Sequence, residues 1–151
     1  MSLDDEVDVL RQIPLFANIE PAKLKLMCFA SERLLFKAGE VLFRQGEAGD
    51  AAYIVLGGEA EIIAETPNGP LTVAVLTRND IIGEIAILCD VPRTATVKAG
   101  SDLTALKVTK DLFFRMVQDF PEMAIEIMRV LAHRLEVTTS QLSELRAAAR
   151  D

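Results

Sequence analysis

The spacing of apolar positions changes character along this chain. Residues 4–12 mix acidic and apolar positions in the loose pattern of a short helix, and Pro14 follows. Ile19-Glu20-Pro21 then opens a second helical run to about Ser31. Proline suits the first turn of a helix because the N–H it lacks has no intrahelical partner there. From Arg33 to about Val108, short runs with β-branched residues alternate with turn signals. These include Lys37-Ala38-Gly39-Glu40, Leu56-Gly57-Gly58-Glu59, Thr77-Arg78-Asn79-Asp80 and Ala99-Gly100-Ser101-Asp102. Turns recurring about every ten residues predict an antiparallel sandwich or barrel. Asn68-Gly69 predicts a hairpin, with Pro67 and Pro70 lengthening its loop beyond two residues.

After Thr109 the helical period returns. Residues 110–120 read as one helix, and a second runs from Pro121 to the end. In it Leu131, Leu135, Thr138, Leu142, Leu145 and Ala149 fall at 4-3-4-3-4 spacing, a heptad seam. Three readings of this seam stand: packing against its own domain, parallel pairing with a second copy in a homodimer, or pairing with a helix of another partner. The helix is long for so small a domain, which favours pairing.

Composition narrows the class. The 151 residues, half of them apolar, suit a single domain over 1–151 with a substantial core. No apolar run approaches the roughly 18 residues of a transmembrane helix, and Asp4-Asp5-Glu6 is acidic where a signal peptide is basic. Cys28 and Cys89 lie too far apart for a zinc spacing or a disulfide framework. A cytoplasmic protein with reduced thiols is expected, with no membrane contact. One histidine, His133, and two cysteines make a metal site or an imidazole–thiol catalyst unsuited to this chain. The net charge of −7 opposes nucleic-acid binding, since no basic run interrupts it. Arg129, Arg134, Arg146 and Arg150 alternate with Glu126, Glu136, Glu144 and Asp151, as on a solvated helix face.

The stretch Gly83-Glu84-Ile85-Ala86-Ile87-Leu88-Cys89-Asp90-Val91-Pro92-Arg93-Thr94-Ala95-Thr96-Val97 carries the candidate chemistry. It reads as a short helix inserted between strands, opened by Gly83 and stopped by Asp90-Val91-Pro92. A helix start offers free N–H groups to an anion. Arg93 supplies a fork matched to phosphate. Glu84 repels phosphate but accepts a hydrogen bond from a hydroxyl. The set asks for a sugar phosphate with a free hydroxyl. On these residues alone, a mutual Glu84–Arg93 salt bridge stands equally well.

The complete string resembles the phosphate-binding cassette of cyclic nucleotide-binding domains, with Ile82 where the family usually has phenylalanine. A second match, Leu42 to Ile62, resembles the family's β-roll signature through Gly46, Gly49, Asp50, Tyr53 and Gly58. The resemblance implies an α+β, mainly β fold: an antiparallel, jelly-roll-like β-roll over about 33–108, flanked by N-terminal helices and closed by C-terminal helices over about 110–149. It implies that Arg93 clamps a cyclic phosphate and Glu84 the ribose 2′-hydroxyl. Gly83, Ile85, Ala86 and Ala95 would face phosphate or ribose, and Ile62, Ala64 and Val73 (or Val75) the base.

On the base, the residues point two ways. Thr94 resembles a cGMP selector. Thr138 and Thr139 occupy positions resembling those that reach adenine in the dimer helix of bacterial catabolite activators. The expectation is cAMP, with cGMP as the alternative, bound as a ligand and without a cofactor. The implied protein is no enzyme but a sensor whose C-terminal helix moves on binding. No DNA-reading helix-turn-helix or other effector domain is visible in this sequence, so the sensor would either act through an unknown downstream partner or be part of a longer chain. A ligand-free scaffold or dimerisation domain is the other non-enzymatic reading. For an enzyme, the nearest catalytic candidates would be Glu84 and Asp90.

Overall fold

The structure, a computed structural model, describes residues 2–150; Asp151 and the Arg150 side chain, counted above in the charge pattern of the last helix, lie outside the described residues. Two helices lead: α1 (Leu3–Arg11) and α2 (Pro21–Ala30). Ser2 caps α1, its hydroxyl accepting from the Asp5 N–H while the Asp5 carboxylate accepts from the Ser2 N–H. Eight strands follow: β1 (Glu32–Phe36), β2 (Val41–Phe43), β3 (Ala51–Gly57), β4 (Ala60–Thr66), β5 (Gly69–Leu76), β6 (Ile81–Ile82), β7 (Thr96–Ala99) and β8 (Leu103–Thr109). The helix α3 (Glu84–Cys89) interrupts them between β6 and β7, where the sequence predicts an insert. Helices α4 (Lys110–Asp119) and α5 (Glu122–Arg150) complete the chain.

The strands form two antiparallel sheets, ordered β1-β8-β3-β6 and β2-β7-β4-β5. The run Ala51-Ala52-Tyr53-Ile54-Val55-Leu56 is apolar without alternation because β3 is buried on both faces. Ala52, Ile54 and Leu56 join a core shared with α1, α2, α4 and the start of α5. Ala51, Tyr53 and Val55 face the other way, into the space between the sheets with Phe43, Ile82, Val97 and Leu103. A buried Glu6 paired with Arg33 ties α1 to β1.

The hairpin between β4 and β5 is tighter than the sequence suggests. Thr66 pairs with Gly69, so the loop is the two residues Pro67-Asn68. Pro67 presets the turn, and Gly69 takes a φ of +106°. Pro70 does not lengthen the loop. It sits within β5, an edge strand, where a missing N–H costs no ladder bond.

The start of α5 is anchored and the rest is not. Met123 and Ile127 are buried, Lys23 pairs with Glu122, and the Asn18 amide donates to Glu126 at 3.1 Å. From Leu131 to Ala149 every side chain is exposed. Leu135 and Leu145 are each 69% exposed. The reading of the seam as packed against its own domain is thereby corrected: α5 overshoots the core, and the seam has no partner among the described residues. Among the described residues, no helix is long and apolar enough to cross a membrane.

Candidate functional site

Gly83 shapes the site. It precedes α3 in the left-handed region, at φ +83°, and the space a Cβ would need there is taken by the Arg93 guanidinium. At the other end of α3, Asp90 adopts φ +52° and closes the helix, its carboxylate accepting from Lys110 Nζ at 2.9 Å. That ion pair holds the Asp90 carboxyl below its ordinary range. The loop between β2 and β3 presses against α3 so closely that a Cβ on Gly49 would overlap the Ala86 methyl.

Arg93 is fastened at both backbone and side chain. Its N–H donates to the Glu47 carbonyl at 2.8 Å, and its carbonyl accepts from the Gly46 N–H at 2.9 Å. Its side chain is only 3% exposed. Nη1 donates to the Gly83 carbonyl at 3.1 Å and Nη2 to the Ala51 carbonyl at 2.7 Å. Asp50 lies 3.9 Å from Nη2 but is largely exposed, so solvent screens it. The Nε–H is buried and has no partner among the described residues. Burial pushes the guanidinium's pKa down. An unsatisfied N–H on a desolvated cation is costly unless an acceptor arrives.

Glu84 and Arg93 are not hydrogen-bonded or ion-paired with one another. Glu84, little exposed, has Arg134 of α5 as its nearest cation, with Nη1 3.5 Å from Oε1. Arg134 is exposed, as its charge pattern predicts, and the fold also brings it across fifty positions of sequence to the cassette.

These groups border one cavity of about 270 Å³. Eight predicted residues line it: Ile62, Gly83, Glu84, Ile85, Ala86, Arg93, Thr94 and Ala95. The other predicted residues do not. Ala64 lies farther along β4 toward the hairpin. Val73 is displaced because Ile62 pairs with Ala74 while Ile63 pairs with Thr72, leaving Val73 as the bulged, unpaired residue. Ala74 and Leu76 therefore face the cavity, and Val73 and Val75 stand half-exposed outside. Thr138 and Thr139 lie on the exposed part of α5, away from the cavity within one chain. The wall is completed by Phe43, Ile81, Ile82 and Val97, which sequence reasoning did not single out. Phe43 lies within the Leu42–Ile62 match, Val97 ends the cassette stretch and Ile82 immediately precedes it, and that placement was the available signal.

The roll of two antiparallel sheets thus sets a buried arginine and a short helix at the mouth of an apolar cavity. The chain belongs to the cyclic nucleotide-binding domain family, which it matches over residues 33–120. It is similar to the CRP-like cAMP-activated global transcriptional regulator of Mycobacterium tuberculosis, 27% identical over 139 residues covering 91% of this chain and 62% of that protein. It is also similar to the cAMP-dependent protein kinase regulatory subunit of Emericella nidulans, 34% identical over 108 residues covering 72% of this chain and 26% of that subunit. Among solved structures, the N-terminal domain of a transcriptional regulator from Streptomyces coelicolor A3(2) superposes with a TM-score of 0.79. It is 30% identical, with 88% of this chain and 96% of that one covered.

Proposed function

We propose that this chain is a cAMP sensor that binds its nucleotide without transforming it. The observation that carries this reading is the Arg93 guanidinium: buried, lacking a partner at Nε, and at the edge of a cavity whose remaining wall is mostly apolar. A cyclic phosphodiester carries one negative charge and matches one arginine. Glu84 then accepts from the ribose 2′-hydroxyl, and Ile62, Ala74, Leu76 and Val97 offer the base an apolar surface. The cavity lining includes no imidazole or thiol, so Glu84 is read as a hydrogen-bond acceptor and not as an acid–base catalyst.

The nearest cation to Glu84 is Arg134 on α5, so ligand at Glu84 is felt by that helix. Ligand repositions α5 to the extent that it binds the two helix positions with different affinity. Two copies pair through the exposed seam, and Thr138 and Thr139 approach the base from that helix pair. The cAMP-activated regulator of Mycobacterium tuberculosis and the cAMP-dependent protein kinase regulatory subunit of Emericella nidulans support adenine over guanine. The downstream partner acts on the repositioned helix.

Calorimetric titration with cAMP and with cGMP tests the reading. Tighter binding of cAMP, with recovery of intact nucleotide after prolonged incubation, is expected. Tighter cGMP binding overturns the choice of base, AMP formation overturns the non-enzymatic role, and no heat with either nucleotide favours a scaffold.

A further inference from the structure

The guanidinium carbon of Arg93 lies over an aromatic ring. Its Cζ is 3.9 Å from the centroid of Phe43, the last residue of β2. Phe43 is 9% exposed, and its ring is braced from behind: Tyr53 lies 6.0 Å away, tilted by 31°, and Phe36 meets Tyr53 edge-on at 6.3 Å. Two aromatic side chains from two other strands thus brace the Phe43 ring, over which the cation of Arg93 sits.

This contact has an electrostatic role in a dry place. The Ala51 and Gly83 acceptors are neutral carbonyls, and the Asp50 carboxylate is solvated. The electron-rich face of the ring is one of the few groups left to balance the buried cation, and cation–π attraction strengthens when the cation is desolvated. The geometry also divides the guanidinium's surfaces. Phe43 lies under the cationic carbon, two carbonyls take hydrogens of Nη1 and Nη2, and the Nε–H has no partner among the described residues.

We propose that Phe43 is a positioning residue for Arg93, an aromatic platform that holds the guanidinium in place at the cavity and thereby sets the affinity for the anion bound there. This rests on the reading that the cavity takes a cyclic phosphate. A leucine at this position fills most of the volume but has no π face, whereas a tyrosine keeps one.

The test is a cycle of variants titrated with cAMP. Phe43→Leu is expected to weaken binding by about three- to tenfold, with Phe43→Tyr close to the parent. In an Arg93→Gln background, Phe43→Leu should change affinity less than about twofold, because the ring acts through the arginine. Unchanged affinity in Phe43→Leu overturns the proposal. So does a loss that persists in the Arg93→Gln background, since the ring then touches the nucleotide directly. Should Phe43→Leu not fold, Phe43→Met replaces it. A second readout needs no nucleotide: the Arg93 Nε–H resonance of the free protein, shifted upfield by the ring and returning toward ordinary arginine positions in the leucine or methionine variant. An unshifted resonance overturns the platform by itself. A protein that binds neither nucleotide but shows the shift loses the proposed ligand and keeps the Phe43–Arg93 contact.

Discussion

The Nη1 group of Arg93 occupies the space that a Cβ on Gly83 would need, and the same Nη1 donates to the Gly83 carbonyl. One residue therefore both vacates and anchors the arginine's position. Gly83→Ala is expected to introduce a side chain at positive φ, costing about 1–2 kcal/mol, and to push the guanidinium away. Thermal unfolding should show the destabilisation, and calorimetry should show at least a tenfold (about 1.4 kcal/mol) loss of cAMP affinity. Parent-like affinity in Gly83→Ala would show that Arg93 needs no such seat.

Arg93 and Glu84 are assigned to different parts of one ligand, and the two assignments separate experimentally. Arg93→Ala should weaken cAMP and 2′-deoxy-cAMP alike, by about 1.5–3 kcal/mol, as for loss of a charged hydrogen-bond partner. Glu84→Gln should weaken cAMP selectively and narrow its advantage over the 2′-deoxy form. Equal effects of Glu84→Gln on both nucleotides would remove the hydroxyl contact.

The exposed seam of α5 makes few contacts within its own chain. Leu135→Glu and Leu142→Glu should leave the unfolding of the domain within about 0.5 kcal/mol of the parent, as for ordinary surface substitutions. Analytical ultracentrifugation should nevertheless shift from dimer to monomer. A parent chain that sediments as a monomer at all concentrations would refute pairing through this helix.

Thr138 and Thr139 lie outside the single-chain cavity, so any contact with the base needs helix movement or a second copy. Thr138→Val should lower cAMP affinity with little effect on cGMP, whereas Thr94→Val should spare cAMP. The reverse pattern in paired titrations would assign base selection to the cassette.

The two thiols should differ in reactivity. Cys89 is exposed, while burial, reinforced by the Glu6 charge, pushes the Cys28 pKa up to about 12. A disulfide reagent at pH 8 should titrate one thiol in the native protein and two after denaturation. Because the folded pKa lies above the ordinary 9.0, this thiol's contribution to stability is complete below pH 9 and is lost as pH rises toward 12. Cys28→Ala should therefore show a shallower alkaline loss of stability.

Much of this was legible in the sequence because it depends on neighbours. Helix starts, turn spacing and the change from helical period to short strands are local properties of the chain. So is the glycine-opened, Asp90-stopped helix of the cassette. Even the unbroken apolar run of β3 reflects its burial on two faces. The elements came within a residue or two of the expected limits, and eight of the twelve residues named as ligand contacts line one cavity.

Tertiary structure decided the rest, for a common reason: each deciding contact joins residues far apart along the chain. Whether Glu84 and Arg93 pair depended on Ala51, forty-two positions from Arg93, and on Arg134, fifty from Glu84. Which residue of β5 faces the cavity depended on a bulge in its ladder with β4, which shifts alternation past Val73 to Ala74. The seat of the arginine depended on Phe43, brought beneath it by pairing between β2 and β7 and by backbone bonds of Arg93 to the loop after β2. Periodicity specifies which face of an element is apolar, but it carries no information on which distant group will meet that face. The charges of the cassette were visible in the sequence; their partners were selected by folding.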